Sequence, residues 1–181
     1  MMTTYNCAPP SRRYRLGVFC ILLAAVFGLL GSGAASQQRE KDTRRQLIGT
    51  WLLISAQNDK KADIFGPHPT GMLVFDATGH FSSQVMRSDL PALATSDRTQ
   101  AAPEESQAII QGYIAYFGTY SVTAPGAITL HILGGSFPNW NGADQKRAFA
   151  INGDEMQYTN LVTSFGGASA HLRWRRASAG R

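Results

Sequence analysis

The chain reads as an all-β protein. About eight short antiparallel strands close on one another, with one short helix inserted between the third and fourth. Three observations carry that reading. From Leu47 onward, short apolar segments recur between Gly, Pro, Asn and Asp, the spacing of a sandwich or barrel. Two of the separators, Asp76-Ala77-Thr78-Gly79 and Asn152-Gly153, are turn sequences with Gly available for a positive-φ position. Both cysteines, Cys7 and Cys20, precede this region, so the fold rests on a core rather than on disulfides. Closure would hide the sheet edges, and eight strands leave an interior just wide enough for side chains or one small ligand. A sandwich without a cavity also fits the pattern.

Each element follows from local signals. Leu47–Ala56 is the first strand. Met72–Phe75 and Phe81–Met86 flank the Asp76–Gly79 turn and form a hairpin. Ser88–Ala102 is a polar connection. Pro103-Glu104-Glu105 opens the helix, because Pro suits the first turn and acids suit its positive end. Ile109, Ile110 and Tyr113 give it an apolar side, and Gly112 ends it. In Ala115–Val122, alternation puts Tyr116, Gly118, Tyr120 and Val122 on one face. Pro125-Gly126 turns the chain into Ile128–Leu133, and a Gly/Pro/Asn-rich loop spans Gly134–Gly142. Gln145–Ile151 and Met156–Val162 pair across Asn152-Gly153, and Ala170–Arg175 is the last strand.

Ahead of the barrel lies a leader. Arg12, Arg13 and Arg15 precede an apolar run from Leu16 to Leu30, then Gly31, Ser32, Gly33, Ala34, Ala35 and Ser36. A basic segment, a short apolar run and a small-residue exit form a secretory signal peptide, with cleavage after Ala35 or Ala34. The run falls short of the ~20 residues that span a bilayer; an uncleaved signal anchor is the alternative. Ser11-Arg12-Arg13-Tyr14-Arg15-Leu16 is also similar to a twin-arginine signal, although Arg15 departs from it, so ordinary secretion is favoured. The organisation is therefore 1–35 signal peptide, 36–46 polar lead-in (flexible or a short helix), 47–176 barrel and 177–181 basic tail. The protein is expected to be exported, periplasmic or extracellular, with no stable membrane anchor once the leader is cleaved.

Charge placement excludes a nucleic-acid module. The whole chain carries 17 Lys+Arg and 12 Asp+Glu, net +5. Without residues 1–35 it has 14 basic and 12 acidic residues, or +2. Within 47–174 there are 7 basic and 10 acidic residues, or −3. A mildly acidic barrel lacks the basic footprint that nucleic acid requires.

The central segments are rich in large amphipathic groups, Tyr113, Tyr116, Tyr120, His131, Trp140, Arg147 and Tyr158, and the candidate site residues are Tyr116, Tyr120, His131, Trp140, Arg147 and Phe149. Strand parity puts Gln145, Arg147 and Phe149 on one side. Facing the barrel, Arg147 would be a buried cation that needs a partner or a ligand anion; facing solvent, it would be a surface charge. The inward reading fits a small hydrophobic ligand with an anionic or phenolic head held by Arg147 and a Tyr hydroxyl. His68, His80, His131 and His171 have no metal-site spacing, and neither a metal nor a cofactor is expected. Phosphate-loop and nucleophile-elbow sequences do not occur.

Several segments together resemble the bacterial and fungal lipocalin-like family within the calycin barrels. They are Leu47-Ile48-Gly49-Thr50-Trp51-Leu52-Leu53-Ile54-Ser55, Gly66-Pro67-His68-Pro69-Thr70-Gly71-Met72-Leu73, and Ala115-Tyr116-Phe117-Gly118-Thr119-Tyr120. His131, Phe137-Pro138-Asn139-Trp140-Asn141-Gly142, Gln145-Lys146-Arg147 and Leu172-Arg173-Trp174-Arg175 complete the ordered set. The resemblance implies an eight-stranded up-and-down barrel holding small apolar molecules, with no defined reaction. It also implies that Trp51 packs at the closed end under Arg173 or Arg175, a structural cation–π contact. Two functions follow as expectations. The first is a non-enzymatic carrier of a small hydrophobic molecule. The second is a cyclase or isomerase acting on a polyketide-like substrate, with His131, Tyr116 or Tyr120, and Arg147 doing acid–base chemistry.

Overall fold

A computed structural model describes residues 33, 35–161, 163–166 and 169–178. The signal peptide expected at residues 1–35 lies almost wholly outside them. The chain divides into two compact units, Met1–Arg39 and Glu40–Arg181. In the first, residues 33 and 35–39 are helical. The second holds a helix α1 (residues 40–47) and then eight strands and a second helix. The polar lead-in thus takes the helical of its two readings.

The strands are β1 (Gly49–Asn58), β2 (Thr70–Phe75), β3 (His80–Met86), β4 (Tyr113–Ala124), β5 (Ala127–Gly135), β6 (Asp144–Asn152), β7 (Glu155–Asn160) and β8 (Ala170–Arg176), with α2 (Pro103–Gly112) between β3 and β4. Each pairs with its sequence neighbour, and β8 closes on β1, giving an antiparallel up-and-down barrel. The sandwich alternative is thereby set aside. Turn chemistry explains the joins. Asp76 Oδ1 accepts from the Thr78 and His80 backbone N–H groups, each at 2.8 Å, and Gly79 sits at φ 98°. The second hairpin closes through Gly153-Asp154, one residue later than expected, since Asn152 already pairs with Glu155. In α2 the Glu105 carboxylate accepts from the Ala102 N–H at 2.9 Å, occupying a donor the helix start leaves free.

Alternation fixes what faces inward. The buried positions are Tyr116, Gly118 and Tyr120 on β4, Ile128, Leu130 and Ile132 on β5, Gln145, Arg147 and Phe149 on β6, and Met156, Tyr158 and Asn160 on β7. Gly118 is required by a close approach: a Cβ there would lie 1.9 Å from the His131 backbone oxygen. Any larger residue would push β4 and β5 apart.

One end of the barrel is sealed. Trp51 is fully buried, and its Nε1 donates to the Leu47 carbonyl at 2.9 Å. Its cationic partner is Arg176, 4.1 Å from the ring centroid, rather than Arg173 or Arg175. Parity is the reason: Leu172 and Trp174 face inward, so 176 shares their side, while Arg173 points out to Glu155 at 2.9 Å. Arg176 also donates to the carbonyls of Gln46 at 2.8 Å and Ile48 at 3.0 Å, at the C-terminal end of α1, where a cation is favoured. Arg44 of α1 lies 5.5 Å from the Tyr120 centroid and donates to the Ala77 carbonyl at 2.9 Å.

Arg176→Ala is expected to lower stability by about 2 kcal/mol, read by calorimetry as a Tm several degrees lower. The neighbouring Arg175→Ala, on the outer face, is expected to change it by less than about 0.5 kcal/mol. Equal effects at the two positions would contradict this sealing role.

Candidate functional site

The opposite end carries the pocket. Ile64 and Phe65 from the β1–β2 connection, Val85 of β3, Ile114 and Tyr116 of β4, and Trp140 ring its mouth. Asn160, Ala170 and Leu172 continue the lining inward. The aromatic groups interlock edge to face. Tyr116 and Trp140 have centroids 5.3 Å apart, Tyr116 and Phe81 5.8 Å, and Phe137 and Trp140 5.5 Å. Phe65 meets Phe165 in the same way at 5.4 Å. This pocket holds about 30 Å³ of free space, room for a water or two.

Beneath the mouth the barrel wall turns polar. Arg147 is 1% exposed. It sits opposite Asn160 on β7 and Ile128 on β5. Its Nη1 donates to the Lys146 carbonyl at 3.0 Å, and its Nη2 donates to Gln145 Oε1. Its Nε has no partner. Tyr158 and Asn160 face inward beside it on β7, and the Tyr158 hydroxyl and Asn160 Oδ1 are likewise buried and unpartnered. Trp174 Nε1 is a further unpartnered buried donor in the same core. Among the described residues no Asp or Glu is buried.

Complete burial pushes the Tyr158 hydroxyl far above its ordinary pKa of 10.0, with Tyr116 adding to the shift and Arg147 opposing it. Tyr158 is therefore a neutral donor at physiological pH. Tyr120 is also raised, mainly by burial, against an opposing effect of Arg44.

The expected site residues divide sharply. Tyr116 and Trp140 line the pocket, and Arg147 faces inward below it, which settles its direction. Phe149 is buried opposite Tyr158, deeper in the core. Tyr120 belongs to the sealed end: its hydroxyl donates to the Asp76 carbonyl at 2.8 Å and its ring packs on Phe75 at 4.9 Å. His131 lies on the outer face, exposed, with Nδ1 2.8 Å from Asp144 Oδ1. It shares no cavity with Tyr116 or Arg147, so the acid–base constellation built on His131 does not assemble. The cause is β5 parity, because Ile128, Leu130 and Ile132 take the inner face. His171 similarly pairs with Asp59 on the outside at 2.8 Å. Tyr158, one of the amphipathic groups of the central segments but outside the expected site, and Asn160 join the inner wall. Their sequence signal is the same alternation, since Met156 marks the inward parity of β7.

A family model described as a lipocalin-like domain matches residues 48–177. No curated protein matches the chain.

Tyr158 yields a pH prediction. Its pKa is raised in the folded state, so it binds its proton more tightly there than in the unfolded chain. Its contribution to stability is complete below about pH 10 and is lost as pH rises further. Urea unfolding at pH 8 and pH 11 is expected to show a loss that is smaller in Tyr158→Phe. At pH 8 that variant should be no less stable than wild type, because the hydroxyl it removes is unsatisfied. Identical pH slopes in the two proteins would contradict the burial argument.

Proposed function

Because the chain belongs to the lipocalin-like domain family, we propose that it is an exported carrier of a small hydrophobic molecule, bound inside the barrel from the unsealed end. One observation carries this reading: a pocket lined by Ile64, Phe65, Val85, Ile114, Tyr116 and Trp140 opens at one end, while Trp51, Arg176 and α1 close the other. Apolar walls with a few polar groups deeper in are the ordinary chemistry of a small-molecule site. Edge-to-face rings hold the mouth together with modest energies, about 0.5–1.5 kcal/mol per pair, so a ligand can displace them at acceptable cost. Export is supported by the basic and apolar leader within 1–35. Among the described residues no helix is long and apolar enough to cross a membrane.

Native mass spectrometry of the protein from its own host reads both points together. The expected species begins at Ser36 and carries a small apolar adduct, which is absent from Val85→Trp, where the added ring fills the pocket. A chain retaining residues 1–35 and recovered from the cytoplasmic fraction would contradict export. A protein that carries no adduct and takes up no neutral polarity-sensitive dye such as Nile red would contradict the carrier function.

A further inference from the structure

We infer that the polar floor of the barrel is a seat for a monoanionic head group, so that the ligand is an apolar molecule ending in a carboxylate held by Arg147 and Tyr158. This rests on the carrier reading and specifies its ligand class. The argument begins with an imbalance. Arg147 is a guanidinium with five N–H donors and no acceptor, 99% removed from solvent by its 1% exposure. Its two partners are neutral, the Gln145 amide oxygen and the Lys146 carbonyl, so its charge is uncompensated within the described barrel. A buried cation left this way is costly.

The groups around it share the deficit. The Arg147 Nε and the Tyr158 hydroxyl are donors with nothing to donate to. Arg147 lies close enough to the Tyr158 hydroxyl to favour its ionised form, yet the two make no aligned hydrogen bond. Two convergent unpaired donors, one of them charged, ask for an acceptor with negative charge, and a carboxylate offers two oxygens. Asn160, opposite Arg147 in register, has its amide oxygen unpartnered, and turning that amide over would present its N–H₂ to the same anion. Asn160 also lines the pocket, which places the seat directly beneath the apolar mouth. The head group would lie deep, and the apolar body would extend toward Tyr116 and Trp140.

Isothermal titration with octanoate and 1-octanol at pH 7 and fixed ionic strength separates head from body. Wild type is expected to bind octanoate roughly 10- to 100-fold tighter than octanol, the span of one or two charge-assisted hydrogen bonds. In Arg147→Met that preference disappears, with octanol affinity kept within about threefold. The substitution is expected to fold, because it replaces an unpaired charge by an apolar chain of similar length. Tyr158→Phe, which removes one oxygen, is expected to weaken octanoate several-fold and leave octanol unchanged. If Arg147→Met does not fold, the wild-type comparison and Tyr158→Phe decide the matter. Equal binding of the two ligands by wild type would overturn the seat and leave the carrier reading standing. An octanoate preference surviving in Arg147→Met, or undiminished in Tyr158→Phe, would also overturn the seat. Binding of neither ligand would overturn both.

Discussion

A guanidinium buried without a counter-charge is the constraint around which this barrel is organised. Removing a cation from water costs several kcal/mol even after the surroundings relax. Here it is offset only by the Gln145 side chain and the Lys146 carbonyl. The closed sheet forces the situation. Every strand alternates, β8 pairs back onto β1, and residue 147 has the inward parity between Gln145 and Phe149. With no sheet edge and no solvent on the inner face, Arg147 cannot reach the exposed acids of the outer surface. An unpaired cation in such a place destabilises the barrel.

The two ends of the barrel divide the work. At the sealed end, cations are fully used. Arg176 covers Trp51 and binds two carbonyls at the end of α1, and Arg44 covers Tyr120 while binding the Ala77 carbonyl. Hydrogen bonds there anchor the helix across the base. At the other end the contacts are between aromatic rings, which have shallow directional preferences and can repack. Between them lies the layer of Arg147, Tyr158 and Asn160, each with an unpartnered buried atom.

Much of this was legible from residue pattern, and the failures share one cause. Turn chemistry at Asp76–Gly79 and helix-start chemistry at Pro103-Glu104-Glu105 located their elements, because both depend on neighbours in sequence. The inner and outer faces required parity to be read from the apolar members of each strand. Ile128, Leu130 and Ile132 already exclude His131 from the interior, and Leu172 and Trp174 already select Arg176 over Arg173 and Arg175. Tyr120 is a different case: its inward parity was correct, but only the docking of Arg44 and the Asp76 carbonyl reveals that it serves the sealed end. Tyr158 and Asn160 became significant only with the hydrogen-bond accounting of the closed barrel, since an unpartnered group has no signature in sequence.

The most direct measurement is a crystal structure of the protein grown with octanoate. A carboxylate that fills the deficit at Arg147 should place its oxygens within hydrogen-bond distance of Arg147 Nε and the Tyr158 hydroxyl, with the alkyl chain running past Asn160 toward Tyr116 and Trp140. A bound octanoate with its carboxylate at the mouth and its tail against an unchanged Arg147, or one held only by cations on the outer surface, would contradict it.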